Sequence, residues 1–358
     1  MADPQSLDDE ARTWAGYTGE SHAGSRGLRP RLVVSNRYRV GSLLGAGGMG
    51  LVYEAEHLGL GLPVAIKVLR PELIERHEIV ARFNQEARCT AKLRGEHVVR
   101  VLDEGRLETG LPYFVMERLQ GLDLRAVLQA CTLLPTVLAV DYARQACSAL
   151  AEAHAAGIIH RDVKPSNLFV TSQAAGHSRV KLLDFGIAQQ GALDDDREHL
   201  GTSSYASPEQ LDAADPIDER SDLWSLGVVI FEALTGRLPL VDGWFGRRRL
   251  DLRPLDRRPD LPDELRSIVR RCLAEDRAAR FESAAEMASA LEPFAIHRRA
   301  SAVARSARRT ANESRYRRNG LAAPTKLWGD FQAMRSFSSP RRTPVRPRPT
   351  LHGSFHRA

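Results

Sequence analysis

The sequence predicts an α+β fold in which a small antiparallel sheet with one helix precedes a larger, mostly helical part. Three observations predict it. Between Arg39 and Glu117, apolar-rich runs of five to seven residues recur, which is the length and composition of strands. After Gly121, apolar residues return at helical spacing instead. Within that second part, Ser221–Leu234 (SDLWSLGVVIFEAL) is apolar on nearly every face, a pattern suited to a helix surrounded by other elements.

In chain order, residues 1–36 are rich in Gly, Ser, Asp and Glu without a sustained period and read as a disordered leader. Strands follow at Arg39–Leu44, Leu51–Ala55, Pro63–Leu69 and Tyr113–Glu117, interrupted by a helix over about Ile79–Leu93 whose inward stripe is Phe83, Ala87 and Leu93. In the second part, Ala139–Ala156 places Ala143, Ala146, Leu150 and Ala153 on one face, with Gly157 as its stop. Gly236 ends the apolar segment, and Leu261–Leu273 and Ser283–Leu291 are amphipathic helices. Beyond Ile296 the chain turns Arg-, Ser- and Pro-rich and is too poor in large apolar residues to build a core. The expected organisation is a leader at 1–36, a folded domain at 37–296 divided near 119/120, and a basic tail at 297–358.

With 358 residues, 43% hydrophobic and 27% charged, collagenous, coiled-coil and wholly disordered classes are excluded. The net charge of +6 is unevenly spread: residues 297–358 carry +13, leaving −7 on the rest. An acidic body with a basic tail does not read as a compact nucleic-acid-binding domain, and the tail promises only weak attraction to polyanions. Cys89, Cys131, Cys147 and Cys272 lie far apart with no CxxC pair, which points away from a disulfide framework or zinc knuckle and towards a reducing cytoplasm. There is no apolar run of about 18 residues, and the first thirty residues lack a basic stretch followed by an apolar one, so neither membrane span nor signal peptide is expected. Oligomeric state is left open.

The chemistry concentrates in four segments. Gly45-Ala46-Gly47-Gly48-Met49-Gly50-Leu51-Val52 fits GxGxxGxV, whose glycines let backbone N–H groups approach phosphates. By itself it reads equally as a glycine-rich hairpin turn. A dinucleotide site would need a helix after the third glycine; a strand-like run follows here, with Lys67 closing the apolar Val64-Ala65-Ile66. A buried ammonium there requires counter-charges, and nucleotide phosphates together with a helix carboxylate supply them. Glu75, Glu78 and Glu86 all occupy the stretch that follows, and spacing favours Glu86 without deciding it. The third segment is His160-Arg161-Asp162-Val163-Lys164-Pro165-Ser166-Asn167, and the fourth is Leu183-Asp184-Phe185-Gly186 after a short strand at Val180–Leu183.

Together with Ser207-Pro208-Glu209, these segments make the sequence resemble the protein kinase superfamily, because glycine loop, VAIK, HRDxKxxN, DFG and SPE follow in order. GGMGxVY with SPEQ is most similar to the bacterial eukaryotic-type serine/threonine kinases. The resemblance covers about Arg37 to Phe294 and implies a bilobal kinase fold, with a small lobe at 37–119 and a helical lobe at 120–296. It implies transfer of the ATP γ-phosphate to Ser or Thr of protein substrates, with Mg2+ or Mn2+. In that reading Asp162 accepts the hydroxyl proton, Lys164 neutralises the phosphoryl group in flight and Lys67, paired with Glu86, clamps the α- and β-phosphates. Asn167 and Asp184 hold the metal. The glycine loop, Gly45 through Leu51, covers the phosphates; Leu44, Val52, Ala65 and Phe169 sandwich adenine beside Met116, and the backbones of Glu117 and Leu119 bond it. His160 is a packing residue, while the Glu209–Arg280 pair and Asp222, accepting N–H bonds from His160 and Arg161, are structural ties.

Other classes are weighed against this. A catalytically weak scaffold of kinase fold would be favoured by loss of Lys67, Asp162 or Asp184, and all three are retained. A small-molecule phosphotransferase of the same fold would show a different catalytic loop and no SPE platform. Two stretches depart from the family pattern. Gly236–Leu261 is short for a region that holds a substrate-docking helix, and between Gly186 and Gly201 no Ser or Thr occurs, with Asp194, Asp195, Asp196 and Glu198 in their place. Those carboxylates offer Arg161 a permanent substitute for a phosphate, or form a solvated acidic loop.

Overall fold

The computed structural model describes residues 27–131, 133–172, 178–185, 204–211, 216–242 and 248–295. Expectations for the leader before 27, for Gly186 and the acidic stretch after it, and for the basic tail lie outside the described residues.

The first part is an antiparallel sheet ordered β1-β2-β3-β4-β6-β5, formed by β1 (Val33–Val34), β2 (Tyr38–Ala46), β3 (Gly50–His57), β4 (Leu62–Leu69), β5 (Val101–Arg106) and β6 (Pro112–Glu117). Side chains alternate between the two faces of a strand, and here both faces are apolar. Leu51, Tyr53 and Ala55 of β3, Val64, Ile66 and Val68 of β4, and Tyr113 and Val115 of β6 pack into one cluster on the outer face. Val52, Ala65, Leu69, Phe114 and Met116 fall on the other face with Phe83 and Ala87 of α1 (His77–Lys92). The same period puts Lys67, between Val68 and Ile66, on this second face.

The sheet extends past the sequence expectation at both of its edges. The sheet begins at Val33, upstream of Arg37, because Val33 and Val34 turn back to pair with Arg39 and Tyr38, and Leu28 N–H donates to the Tyr53 hydroxyl at 3.0 Å. Strand β5 (VLDEGR) escaped detection because its alternation is between half-buried and exposed positions, not between apolar and polar ones.

The second part opens with β7 (Gly121–Asp123), which pairs with β8 (Leu168–Ser172), itself paired with β9 (Ser178–Leu182). Around this ribbon stand α2 (Leu124–Cys131), α3 (Thr136–Ala155), α4 (Pro208–Leu211), α5 (Arg220–Thr235), α6 (Arg253–Asp256), α7 (Asp263–Cys272) and α8 (Ala284–Leu291). Helix α5 is the hub: thirteen of its residues are buried, among them Leu226, Val228, Ile230 and Phe231. Burying each such side chain contributes about 1.5–3 kcal/mol. Gly157 and Gly236 stop α3 and α5 in left-handed conformations at φ 70° and 69°, where a β-carbon would be strained. Between Gly236 and Leu261 the structure has a hairpin of β10 (Leu240–Asp242) and β11 (Arg248–Leu250), then the single turn α6. The two parts are stitched where Leu182 N–H donates to the His97 carbonyl at 2.7 Å and its own carbonyl accepts Val99 N–H at 3.1 Å.

Candidate active site

The glycine segment forms the tip of the β2–β3 hairpin, with Leu44, Gly45 and Ala46 closing β2 and Gly50, Leu51 and Val52 opening β3. Gly47, Gly48 and Met49 lie between, closed by Gly47 N–H to the Gly50 carbonyl at 2.8 Å. A β-carbon on Gly48 would meet nothing within 4 Å, so the loop leaves its upper backbone open to a ligand, whereas one on Gly50 would sit 3.0 Å from the Val68 carbonyl. Arg70, which follows β4, holds the tip from below, its backbone N–H on the Met49 carbonyl at 2.9 Å and its Nε on the Gly47 carbonyl at 2.7 Å. Leu51 could serve the loop only through its backbone. Its side chain, like that of Ala46, packs on the outer face.

Beneath the loop, Leu44, Val52, Ala65, Met116, Leu119 and Phe169 meet in one apolar cluster, joined by Leu183, which the sequence pattern does not single out. Leu183 reads in the sequence as the last residue of an ordinary strand. At the edge of this slot, Glu117 N–H is taken by the Arg100 carbonyl at 3.0 Å, and the Glu117 carboxylate accepts Arg100 N–H at 2.8 Å and the Lys181 ammonium at 2.5 Å. Among the described residues Leu119 N–H has no hydrogen-bond acceptor, which leaves it to a flat ligand. The Leu119 carbonyl accepts the Arg118 guanidinium.

Lys67 crosses the cleft face at the far end of the slot. Its Nζ lies 2.7 Å from Glu86 Oε1 and 2.8 Å from Asp184 Oδ1, with the Phe114 ring 5.6 Å away. The structure thus chooses Glu86 among the three glutamates. Burial alone would push the Lys67 ammonium down, but the carboxylates of Asp184 and Glu86 outweigh it and hold it above the ordinary lysine value. Burial pushes the Glu86 carboxyl up, with Lys67 drawing it part of the way back. At Asp184, burial is outweighed by Lys67, which keeps this carboxyl below its usual range. The 40% exposure of the Asp184 side chain agrees with the lower value belonging to it and not to Glu86, which is 4% exposed.

Across from Lys67, the catalytic-loop residues are brought together by a 3-10 turn at Pro165–Asn167. Asn167 Nδ2 donates to the Asp162 carbonyl at 2.8 Å and to Asp162 Oδ2 at 3.0 Å, and Lys164 Nζ lies 2.9 Å from the same Oδ2. Asp162 Oδ1 has no hydrogen-bond partner among the described residues. His160 is fully buried: its Nε2–H donates to the Leu183 carbonyl at 2.8 Å, its Nδ1 accepts Asp162 N–H at 3.2 Å, and its ring packs on Phe185. Both nitrogens are therefore occupied, as a packing role requires. Asp222 accepts His160 N–H at 2.8 Å and Arg161 N–H at 2.7 Å, and His154, unremarkable in the sequence, bonds its Oδ2 at 2.8 Å.

Among the described residues no group of three or more His, Cys, Asp or Glu is placed to hold a metal. What the cleft offers is the Asp184 carboxylate and, since its nitrogen is committed, the Asn167 amide oxygen. Two hard oxygen donors fit Mg2+, which keeps waters and substrate phosphates in its other positions.

A family model described as "Protein kinase domain" matches residues 38–291. The chain belongs to the protein kinase family. This kinase domain is 37% identical over 267 residues to the serine/threonine-protein kinase PknB of Mycobacterium leprae, covering 71% of the chain and 42% of that protein. It is 36% identical over 308 residues to the serine/threonine-protein kinase pkn3 of Myxococcus xanthus, covering 81% and 56%. The kinase-domain structure of Mycobacterium tuberculosis PknI superposes with a TM-score of 0.60 at 30% identity, over 75% of this chain and all of that one. The chain thus spans about half the length of the curated relatives it matches. Among the described residues, no helix is long and apolar enough to cross a membrane.

Proposed function

We propose that the chain is an ATP- and Mg2+-dependent protein kinase that phosphorylates serine or threonine. The observation that carries this reading is the two-sided cleft: Lys67 bridging Glu86 and Asp184 on one side, and Asp162 with Lys164 and Asn167 on the other. Adenine enters the apolar slot, taking hydrogen bonds from Leu119 N–H and to the Glu117 carbonyl, and the glycine-loop backbone covers the phosphates. Lys67 bonds the α- and β-phosphates. Asp184 and Asn167 would hold Mg2+, which screens phosphate charge when bound. The substrate hydroxyl hydrogen-bonds Asp162 Oδ1; its oxygen forms the new bond to the γ-phosphorus as the bond to the ADP oxygen breaks, and the proton passes to Asp162. Lys164, already against Asp162, offsets charge on the phosphoryl oxygens. The protein substrate and its docking mode belong to the same proposal, since β10–β11 and α6 stand where the resemblance implied a docking helix. Four free thiols, three of them buried, suit a reducing compartment.

Purified chain given Mg-ATP and a mixed Ser/Thr peptide pool tests this directly. Phosphate should appear on Ser or Thr, and Asp162→Asn should lower turnover by orders of magnitude while ATP affinity is nearly kept. Equal rates in the two proteins would sink the assignment. The scaffold reading predicts nucleotide binding without transfer in both.

A further inference from the structure

We propose that Gln210 is a positioning residue for Asp162, a reading that rests on Asp162 taking the substrate proton. Gln210 is the third residue of α4, and its Oε1 reaches back over the start of the helix to accept Ser207 N–H at 3.0 Å and the Ser207 hydroxyl at 3.1 Å. These bonds use only the oxygen of the amide. Its nitrogen reaches 49 residues back along the chain to donate to the Arg161 carbonyl at 2.7 Å. The partners leave one orientation for the amide, because turning it over would set N–H groups against the donors of Ser207 and an oxygen against a carbonyl.

The Arg161 carbonyl and the Asp162 N–H belong to one planar peptide unit. Gln210 holds the first and His160 Nδ1 holds the second at 3.2 Å, so this plane is gripped at both polar ends. Such a grip has something to oppose. Arg161 sits at φ 65°, a left-handed conformation that a non-glycine residue keeps only where its surroundings impose it. Its N–H is bound by Asp222 at 2.7 Å. Gln210 and Asp222 therefore fix both ends of the strained residue, and the direction in which Asp162 leaves the chain follows from them.

Gln210 can do this only while α4 is seated. The neighbouring Glu209 is clamped by Arg280 at 2.9 Å and by the Ser221 hydroxyl at 2.7 Å, on the helix that also carries Asp222. Docking of α4 and the aim of Asp162 are thus parts of one hydrogen-bonded unit.

The deciding variant is Gln210→Glu in the full chain, with Gln210→Ala beside it. The carboxylate keeps the volume and the acceptor for Ser207 and loses the donor to Arg161. Peptide kcat should fall about 10- to 100-fold, with KM for ATP within about twofold of wild type and a cooperative melt retained. Lowering the pH protonates the new carboxyl and restores a donor, so the ratio of Gln210→Glu to wild-type kcat should rise towards acid. The proposal is overturned if Gln210→Glu keeps wild-type kcat, if KM for ATP rises as far as kcat falls, or if the melt loses cooperativity, since each describes packing and not positioning. A wild type without transfer activity overturns the kinase reading and this one together; an active wild type with an unimpaired Gln210→Glu overturns this one alone.

Discussion

Lys67 satisfies two carboxylates with one ammonium, and the consequence of removing it follows from that geometry. In Lys67→Met, Glu86 and Asp184 would face each other with no cation between them, and phosphates entering the cleft would meet that negative charge. Turnover should fall by at least about 100-fold, measured by peptide phosphorylation, while thermal unfolding shows a folded protein with weakened response to Mg-ADP. The pairing shows how far residues can be read from sequence. Motif spacing located Lys67, yet Glu75, Glu78 and Glu86 all stood within reach of the following helix. Helical phase decided among them: Glu86 shares the buried stripe with Phe83, Ala87 and Thr90, whereas the Glu78 side chain is 88% exposed.

Among the elements, α4 and α5 fix the catalytic loop from beneath. Glu209 of α4 forms a two-pronged pair with Arg280, whose guanidinium also stacks 4.8 Å from the Trp224 ring of α5. Glu209→Ala leaves a fully buried guanidinium without its carboxylate and should destabilise by about 3–5 kcal/mol, read by urea unfolding. In α5, Leu226→Ala opens a cavity at the centre of the helical part and should cost about 2–5 kcal/mol. An exposed alanine substitution such as Gln85→Ala on α1 provides the contrast and should stay within about 0.5 kcal/mol. The pattern SDLWSLGVVIFEAL marks α5 in the sequence alone, because a helix apolar on all faces has only one kind of place to go. Strand β5 and the β1 turn were not legible, since β5 lacks an alternation of apolar and polar residues and β1 is only two residues long.

For the whole molecule, acid stability depends on the same buried pair. Burial works against charge on Glu209, but hydrogen bonds from Arg280 and Ser221 bring its carboxyl down to about 2 from an ordinary 4.5. A depressed carboxyl stabilises the fold above the unfolded value and loses that contribution as pH falls through the folded one. The difference in melting temperature between wild type and Glu209→Gln should therefore be full above pH 4.5 and shrink between 4.5 and 2. The tail makes a separate prediction. Helix α8 packs on α3, and the 3-10 turn at Glu292–Phe294 closes the described domain. Deleting 297–358 should leave the melt and peptide phosphorylation nearly unchanged while abolishing a weak, salt-sensitive attraction to polyanions. Loss of folding on deletion would show that the domain extends past Ile296.

By itself the sequence determined the class of fold, the order of its parts and the residue types of the site, because strand period, helix period and motif order are local properties of the chain. The Glu209–Arg280 and Asp222 ties came from the resemblance to protein kinases, and the structure contains them. Only the tertiary structure decided which glutamate meets Lys67, that Leu51 faces away from the slot while Leu183 lines it, and that Gln210 reaches the peptide of Asp162. Those outcomes depend on which side of a strand or helix meets an element far off in the chain, and for Leu51 a one-residue change of strand register would reverse the outcome.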